Sequence, residues 1–173
     1  MTVCWVHRSE SRGTYTGGIR ATAVAITRTT DPVSGPARPA REVVPPGLWD
    51  KQVGLLMRDH PYDSLMAARV LGQGYAYLLT AMRHQGEALG LAPSKLVDIG
   101  VHTIVLDTVA YAELCERFND GRFLHHVPEV EMKNDGSVVR TARVVATDGW
   151  EVDLPLWVDA AGCGPCHPGN DSH

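Results

Sequence analysis

The chain contains no long apolar run. Its longest apolar stretches fall far short of the roughly 20 residues that a membrane-spanning helix needs. The first ten residues, MTVCWVHRSE, hold no basic region leading into an apolar one, so no export signal is read there. Both absences predict a cytoplasmic protein with no membrane partner. Aromatic residues make up only 6% and sit among apolar positions, away from basic patches, which argues against stacking on nucleic acid. No long block of one charge is present, and a formal charge of −4 with a pI near 6.0 leaves no electrostatic footprint for a polyanion. There is no phosphate-binding glycine loop, no nucleophile elbow and no His-Glu-x-x-His string. Cysteine is scarce. Without an export signal, four cysteines suggest thiols or metal ligands more than a disulfide frame.

What is present fits one ordinary domain. The 173 residues are 44% hydrophobic and 21% charged, close to globular averages. Charge is uneven, however. Residues 1–45 carry six arginines against three acids, so +3, and the remainder carries ten basic against seventeen acidic residues, so −7. That first segment is broken by Gly17, Gly18, Pro32, Gly35, Pro36 and Pro39. It reads as a flexible leader, either an inert tail or a basic docking arm, with Ala21–Ile26 its only strand candidate. Cys4 and His7 have nothing around them to make them ligands.

From residue 46 the pattern turns helical. Leu48, Val53, Leu56 and Met57 share helical offsets up to Arg58, and Asp59-His60-Pro61 ends that run. A longer helix follows from about Tyr62. Leu65, Ala68, Leu71, Tyr75, Leu78 and Met82 form its apolar stripe, and Asp63 is its N-cap candidate. Gly72 and Gly74 inside it suggest a close helix–helix contact, and His84 near its end is read as a surface cap residue.

The densest chemistry lies in Val97–Pro128. Ser94 is a good N-cap for a helix from Lys95 to about Val105, which carries Asp98 and His102 four residues apart on one face. Asp98 either orients the His102 ring through a hydrogen bond or makes an ordinary polar contact. Asp107 or Thr108 starts the next helix, where Tyr111, Leu114, Cys115 and Phe118 share a face, so Cys115 reads as a small core residue. Asn119-Asp120-Gly121 stops it. The extended run after it holds His125 and His126, whose side chains point opposite ways, so only one of them can join His102.

Two regions leave alternatives open. Ser137–Thr147 is rich in β-branched residues, and with Asp148-Gly149 and the alternation that follows it reads as a β-hairpin near 140–154. The same residues place Val138, Ala142, Val145 and Gly149 on a helical stripe. The end of the chain reads Cys163-Gly164-Pro165-Cys166-His167. Its string matches covalent haem attachment, a thioredoxin-like redox pair, or a Cys-x-x-Cys knuckle for a soft metal, besides an inert tail.

The run Val97-Asp98, Val101-His102, Tyr111 and Cys115, then Phe123, His125-His126 and Pro128, resembles the core of an actinobacterial group described as glycine-rich domain-containing proteins. Leu154-Pro155-Leu156-Trp157 and the Cys/His/Gly-rich end are similar as well. The resemblance covers roughly residues 47–173. Val101 departs from it, since tryptophan usually precedes the first histidine. The resemblance implies a small, mainly helical fold, a helix that ends at Gly149 and a polar residue set of unassigned activity.

The expected architecture is a mainly α protein: a leader over 1–45, a helical domain over 46–158 and a Cys/His-rich tail over 159–173. Its core is expected to hold Leu56, Leu71, Tyr75, Leu78, Val105, Tyr111, Leu114, Cys115 and Phe118. The first functional expectation is a zinc, copper or iron protein, with or without catalysis. Its ligands would come from His102, His125, His126, Cys163, Cys166 and His167, with Asp98 and Tyr111 supporting them. The alternatives are a non-catalytic module that binds a small molecule or protein, and a thiol–disulfide exchanger through Cys163 and Cys166.

Overall fold

A computed structural model describes residues 2–4, 36–129 and 135–158. Six α-helices make up most of what is described: α1 (Pro46–Asp59), α2 (Ser64–Arg83), α3 (Lys95–Leu106), α4 (Thr108–Phe118), α5 (Ser137–Thr147) and the single-turn α6 (Leu154–Trp157). Two three-residue strands, β1 (Thr2–Cys4) and β2 (Val127–Glu129), pair antiparallel, with Val3 opposite Pro128. The mainly helical expectation holds. Among the described residues no helix is long and apolar enough to cross a membrane.

The hub of the packing is α2. From Val70 to Met82 nearly every side chain of α2 is buried, polar Gln73 and Thr80 included. A helix buried on all sides belongs at the centre of a domain. Its start follows local chemistry, since the Asp63 carboxylate accepts the Met66 N–H at 2.7 Å. The expected stripe holds except at Leu65, in the first turn, which is 69% exposed. Of the two glycines, Gly74 makes the close contact. A Cβ there would lie 2.8 Å from the backbone carbon of Gly100 on α3, and one on Gly100 would lie 2.5 Å from the Val70 carbonyl oxygen. The α2 and α3 backbones therefore touch directly. Gly72 only faces the Trp49 ring at an ordinary 3.6 Å.

Six of the nine expected core residues are fully buried: Leu56, Leu71, Tyr75, Leu78, Tyr111 and Cys115. Val105, Leu114 and Phe118 are only half-buried and pack on the core's edge. On α3 it is Ile104, one position earlier, that points fully inward.

Residues 137–147 form a helix, which overturns the hairpin alternative near 140–154. Thr141, Ala142 and Val145 are buried on the inner face of α5, and that packing outweighs the β-branched composition. Asp148-Gly149 serves as the helix stop instead of a hairpin turn. Gly149 takes a positive φ of 84°, and the Trp150 N–H returns to the Val145 carbonyl at 3.2 Å.

The packed body also reaches upstream of residue 46, into what reads from sequence as leader. A 3-10 turn at Ala40–Val43 buries Ala40, and Val44 is buried beside it. The Arg38 N–H donates to the Gly149 carbonyl at 3.0 Å, the Glu151 N–H donates to the Arg38 carbonyl at 2.9 Å, and the Arg38 guanidinium lies 4.4 Å over the Trp150 ring. The strand candidate Ala21–Ile26 and His7 lie outside the described residues.

One buried carboxamide joins the end of the body to its centre. Gln73 Nε2 donates to the Glu151 carbonyl at 3.0 Å. Its Oε1 accepts from the Trp157 indole at 2.6 Å and from the Asp153 N–H at 3.2 Å.

Candidate functional site

Asp98 and His102 lie on α3, one turn apart. The helix starts where expected, because the Ser94 hydroxyl accepts the Val97 N–H at 3.1 Å. Asp98 sits in the first turn, where the helix dipole favours a negative charge. Its side chain is nevertheless 91% buried, and among the described residues its Oδ1 has no hydrogen-bond partner. Burial pushes the Asp98 carboxyl up to about 6, an effect that a charge on His102 opposes.

His102 is placed by that same residue. Its Nδ1 lies 2.8 Å from the Asp98 carbonyl oxygen and 3.4 Å from Oδ2. A carbonyl only accepts, so Nδ1 carries the proton and Nε2 of the neutral ring is left with its lone pair. The His102 ring is thus held by the Asp98 backbone carbonyl, with the carboxylate Oδ2 at the longer distance.

The third member comes from the segment after α4. That helix stops at Asn119, and Asp120 and Gly121 turn the chain at positive φ values of 52° and 72°. The chain then runs extended. Leu124 is buried and His125 exposed, and His126 turns back toward α3. Tyr111 fixes this segment, since its buried hydroxyl donates to the Leu124 carbonyl at 2.6 Å and Phe123 stands edge-on to its ring at 4.9 Å. His126 Nε2 lies 3.2 Å from His102 Nε2, and the two rings are nearly perpendicular at 86°. Burial, with His102 adding to it, holds His126 down to about 4, so it is neutral near pH 7.

One ligand atom from each of Asp98, His102 and His126 lies within 4.8 Å of the others, and this group could hold a metal ion. Bonds of 2.0–2.1 Å place two coordinated nitrogens about 2.9 Å apart at a right angle and about 3.3 Å apart at a tetrahedral one. The observed 3.2 Å falls inside that interval.

Of the residues expected at the site, the structure thus brings together His102, His126 and Asp98, with Tyr111 in support. His125 does not join them; it is exposed and its ring lies 5.3 Å from Phe123. Pleated alternation allows only one of the two histidines to face α3. Cys163, Cys166 and His167 lie outside the described residues.

A cleft of about 760 Å³ opens beside the group, between α1 and α3, with Asp98 and His102 in its wall. Its α1 side carries Lys51, Leu55 and Arg58, none of which sequence reading assigned to the site. Only the fold brings α1 opposite α3, so no local signal marked them. No protein-family model, curated protein or solved structure matches this chain. The functional reading therefore rests on the geometry of the site.

Proposed function

We propose that the protein binds a single divalent transition-metal ion through Asp98, His102 and His126. The observation that carries this reading is the 3.2 Å approach of two imidazole nitrogens, 24 residues apart, beside a buried carboxylate. Leaving a carboxylate buried with an oxygen lacking a partner is costly, and a cation in the group would remove that cost. Two imidazoles and one carboxylate suit Zn²⁺ or Fe²⁺. Three protein ligands leave coordination positions open, and the adjoining cleft gives them access. That combination favours a metalloenzyme over a closed structural site.

Elemental mass spectrometry on untagged protein tests the reading. Near-stoichiometric zinc or iron, lost in His102→Ala, in His126→Ala and in Asp98→Ala, supports it. Retention of metal in all three variants, or no uptake by the parent protein after reconstitution under reducing conditions, refutes it. The double variant Cys163→Ser/Cys166→Ser, measured beside them, reports whether the tail contributes ligands. The second reading is a metal-free pair in which one Nε2–H donates to the other, as the 3.2 Å separation also permits. It becomes the better account if reconstitution fails.

A further inference from the structure

The cleft is graded along α3 in a way that specifies a ligand. Lys95, Ile99 and His102 follow one another along its wall at steps of four and three residues, so they share a helix face. Lys95 and His102 are separated by about 10 Å along the axis at 1.5 Å per residue. Asp98, also of the candidate metal group, lies between them on the same wall, so the order is a cation, a step that carries the apolar Ile99, and the metal group. Leu55 faces the same space from α1, adding to the apolar middle.

The other two cations in the cleft are already engaged. Lys51 is paired with Asp107 at 2.9 Å, and Arg58 makes two hydrogen bonds to Asp59, at 2.6 and 2.8 Å. Lys95 is exposed and forms no ion pair among the described residues. It also sits in the first turn of α3, where the N–H groups of the helix end add to its positive potential. An ammonium at one end, a hydrocarbon surface in the middle and a metal with open positions at the other end match a small aliphatic acid with two oxygen-bearing ends.

Resting on the metal reading above, we propose that the cleft binds a short organic acid, one carboxylate on Lys95 and an oxygen at its other end on the metal. Lys95 thereby selects molecules of matching length against acids with one carboxylate. It is not itself one of the proposed metal ligands.

The test uses the full chain loaded with Co²⁺, whose visible spectrum reports its ligands. Cobalt affinity is measured first, then glutarate and acetate are titrated against the loaded protein and against Lys95→Gln. The expected result is a spectral change with both acids and glutarate affinity at least tenfold above acetate. In Lys95→Gln, cobalt should still bind and the preference for glutarate over acetate should be lost. If cobalt binds but glutarate binds no tighter than acetate, or Lys95→Gln leaves glutarate unaffected, this inference fails and the metal reading stands. If the parent protein takes up no cobalt, both fail.

Discussion

The Tyr111 hydroxyl donates to the Leu124 carbonyl at 2.6 Å, two residues before His126. This single buried bond links α4 to the segment that presents the second imidazole. Tyr111→Phe keeps the ring and its edge-on contact with Phe123 but leaves the carbonyl without its donor. The expected outcome is a folded protein destabilised by about 1–3 kcal/mol, the range for an orphaned buried polar group. Metal affinity should fall several-fold while Asp98 and His102 stay in place. Denaturant unfolding and a competitive metal titration read the two effects separately.

Metal uptake should depend on pH with a definite sign. Binding requires Asp98 as the carboxylate and both imidazoles neutral. With its carboxyl raised to about 6, Asp98 must lose a proton on binding below that pH, whereas His126, held near 4, is already neutral. Apparent affinity for Zn²⁺ should therefore weaken by up to about tenfold per pH unit below pH 6 on account of Asp98. Calorimetry in buffers of different ionisation enthalpy should show proton release near pH 5. Equal affinity at pH 5 and pH 7 would contradict the ligand role of Asp98.

The metal-free protein should hide two opposed proton linkages. Asp98 is raised from its ordinary 3.8, so between about 3.8 and 6 the folded state holds a proton there that the unfolded chain has lost. His126 is lowered from its ordinary 6.5, so between about 4 and 6.5 the unfolded chain holds a proton that the folded state lacks. Stability falls with rising pH for the first and rises for the second. The two cancel over pH 4–6. In Asp98→Asn only the His126 contribution remains, so chelator-treated variant protein should gain stability from pH 4 to 6.5 relative to the parent.

A further histidine, outside the candidate site, should act with the opposite sign. His84, at the end of α2, lies 2.7 Å from Glu87 and 3.1 Å from Asp148. Burial lowers its affinity for a proton, but the two carboxylates together raise it above the ordinary value of 6.5. Its stabilising contribution is complete below pH 6.5 and is lost as pH rises through the folded-state value. His84→Gln should flatten the decline in Tm on the alkaline side of pH 6.5, and an unchanged slope would exclude this pairing in solution.

Two glycines on neighbouring stretches should respond in opposite directions. Gly100→Ala would press a methyl against the Val70 carbonyl oxygen, at 2.5 Å, and is expected to cost about 1–3 kcal/mol or more. Gly72→Ala meets only the Trp49 ring at 3.6 Å and gains helix propensity, so stabilisation of up to about 1 kcal/mol is expected. Thermal unfolding of the two variants side by side checks the pair.

The sequence made some of this legible and hid the rest for identifiable reasons. Helix caps at Asp63 and Ser94 were readable because a side-chain oxygen serves N–H groups three residues away, a wholly local event. Asp98 with His102, and the exclusion of one of His125 and His126, followed from helix and strand periodicity. The choice of His126 over His125 did not, since it depends on Tyr111 and Leu124 fixing the direction of the extended segment. The helix at Ser137–Thr147 stayed ambiguous because β-branched composition and an apolar stripe disagreed, and only the burial of Ala142 and Val145 decides between them. Leu65 sits on the right stripe but in the first turn of α2, where it stays exposed, and Gln73 holds the segment around Trp157 through bonds that span about eighty residues. Periodicity reports which side of a helix faces inward and says nothing of what stands opposite. For that reason the α1 wall of the cleft was invisible.

The backbone contact between Gly74 and Gly100 has a consequence for kinetics. It adds to the buried Val97, Val101 and Ile104 in fixing α3 against the centre of the molecule, so two of the three donor groups ride on a tightly packed support. The third lies on a segment held by the Tyr111 hydroxyl, the buried Leu124 and, directly after His126, the pairing of β2 with β1. Exchange rates of a bound ion would then report on the extended segment and its strand pairing more than on α3.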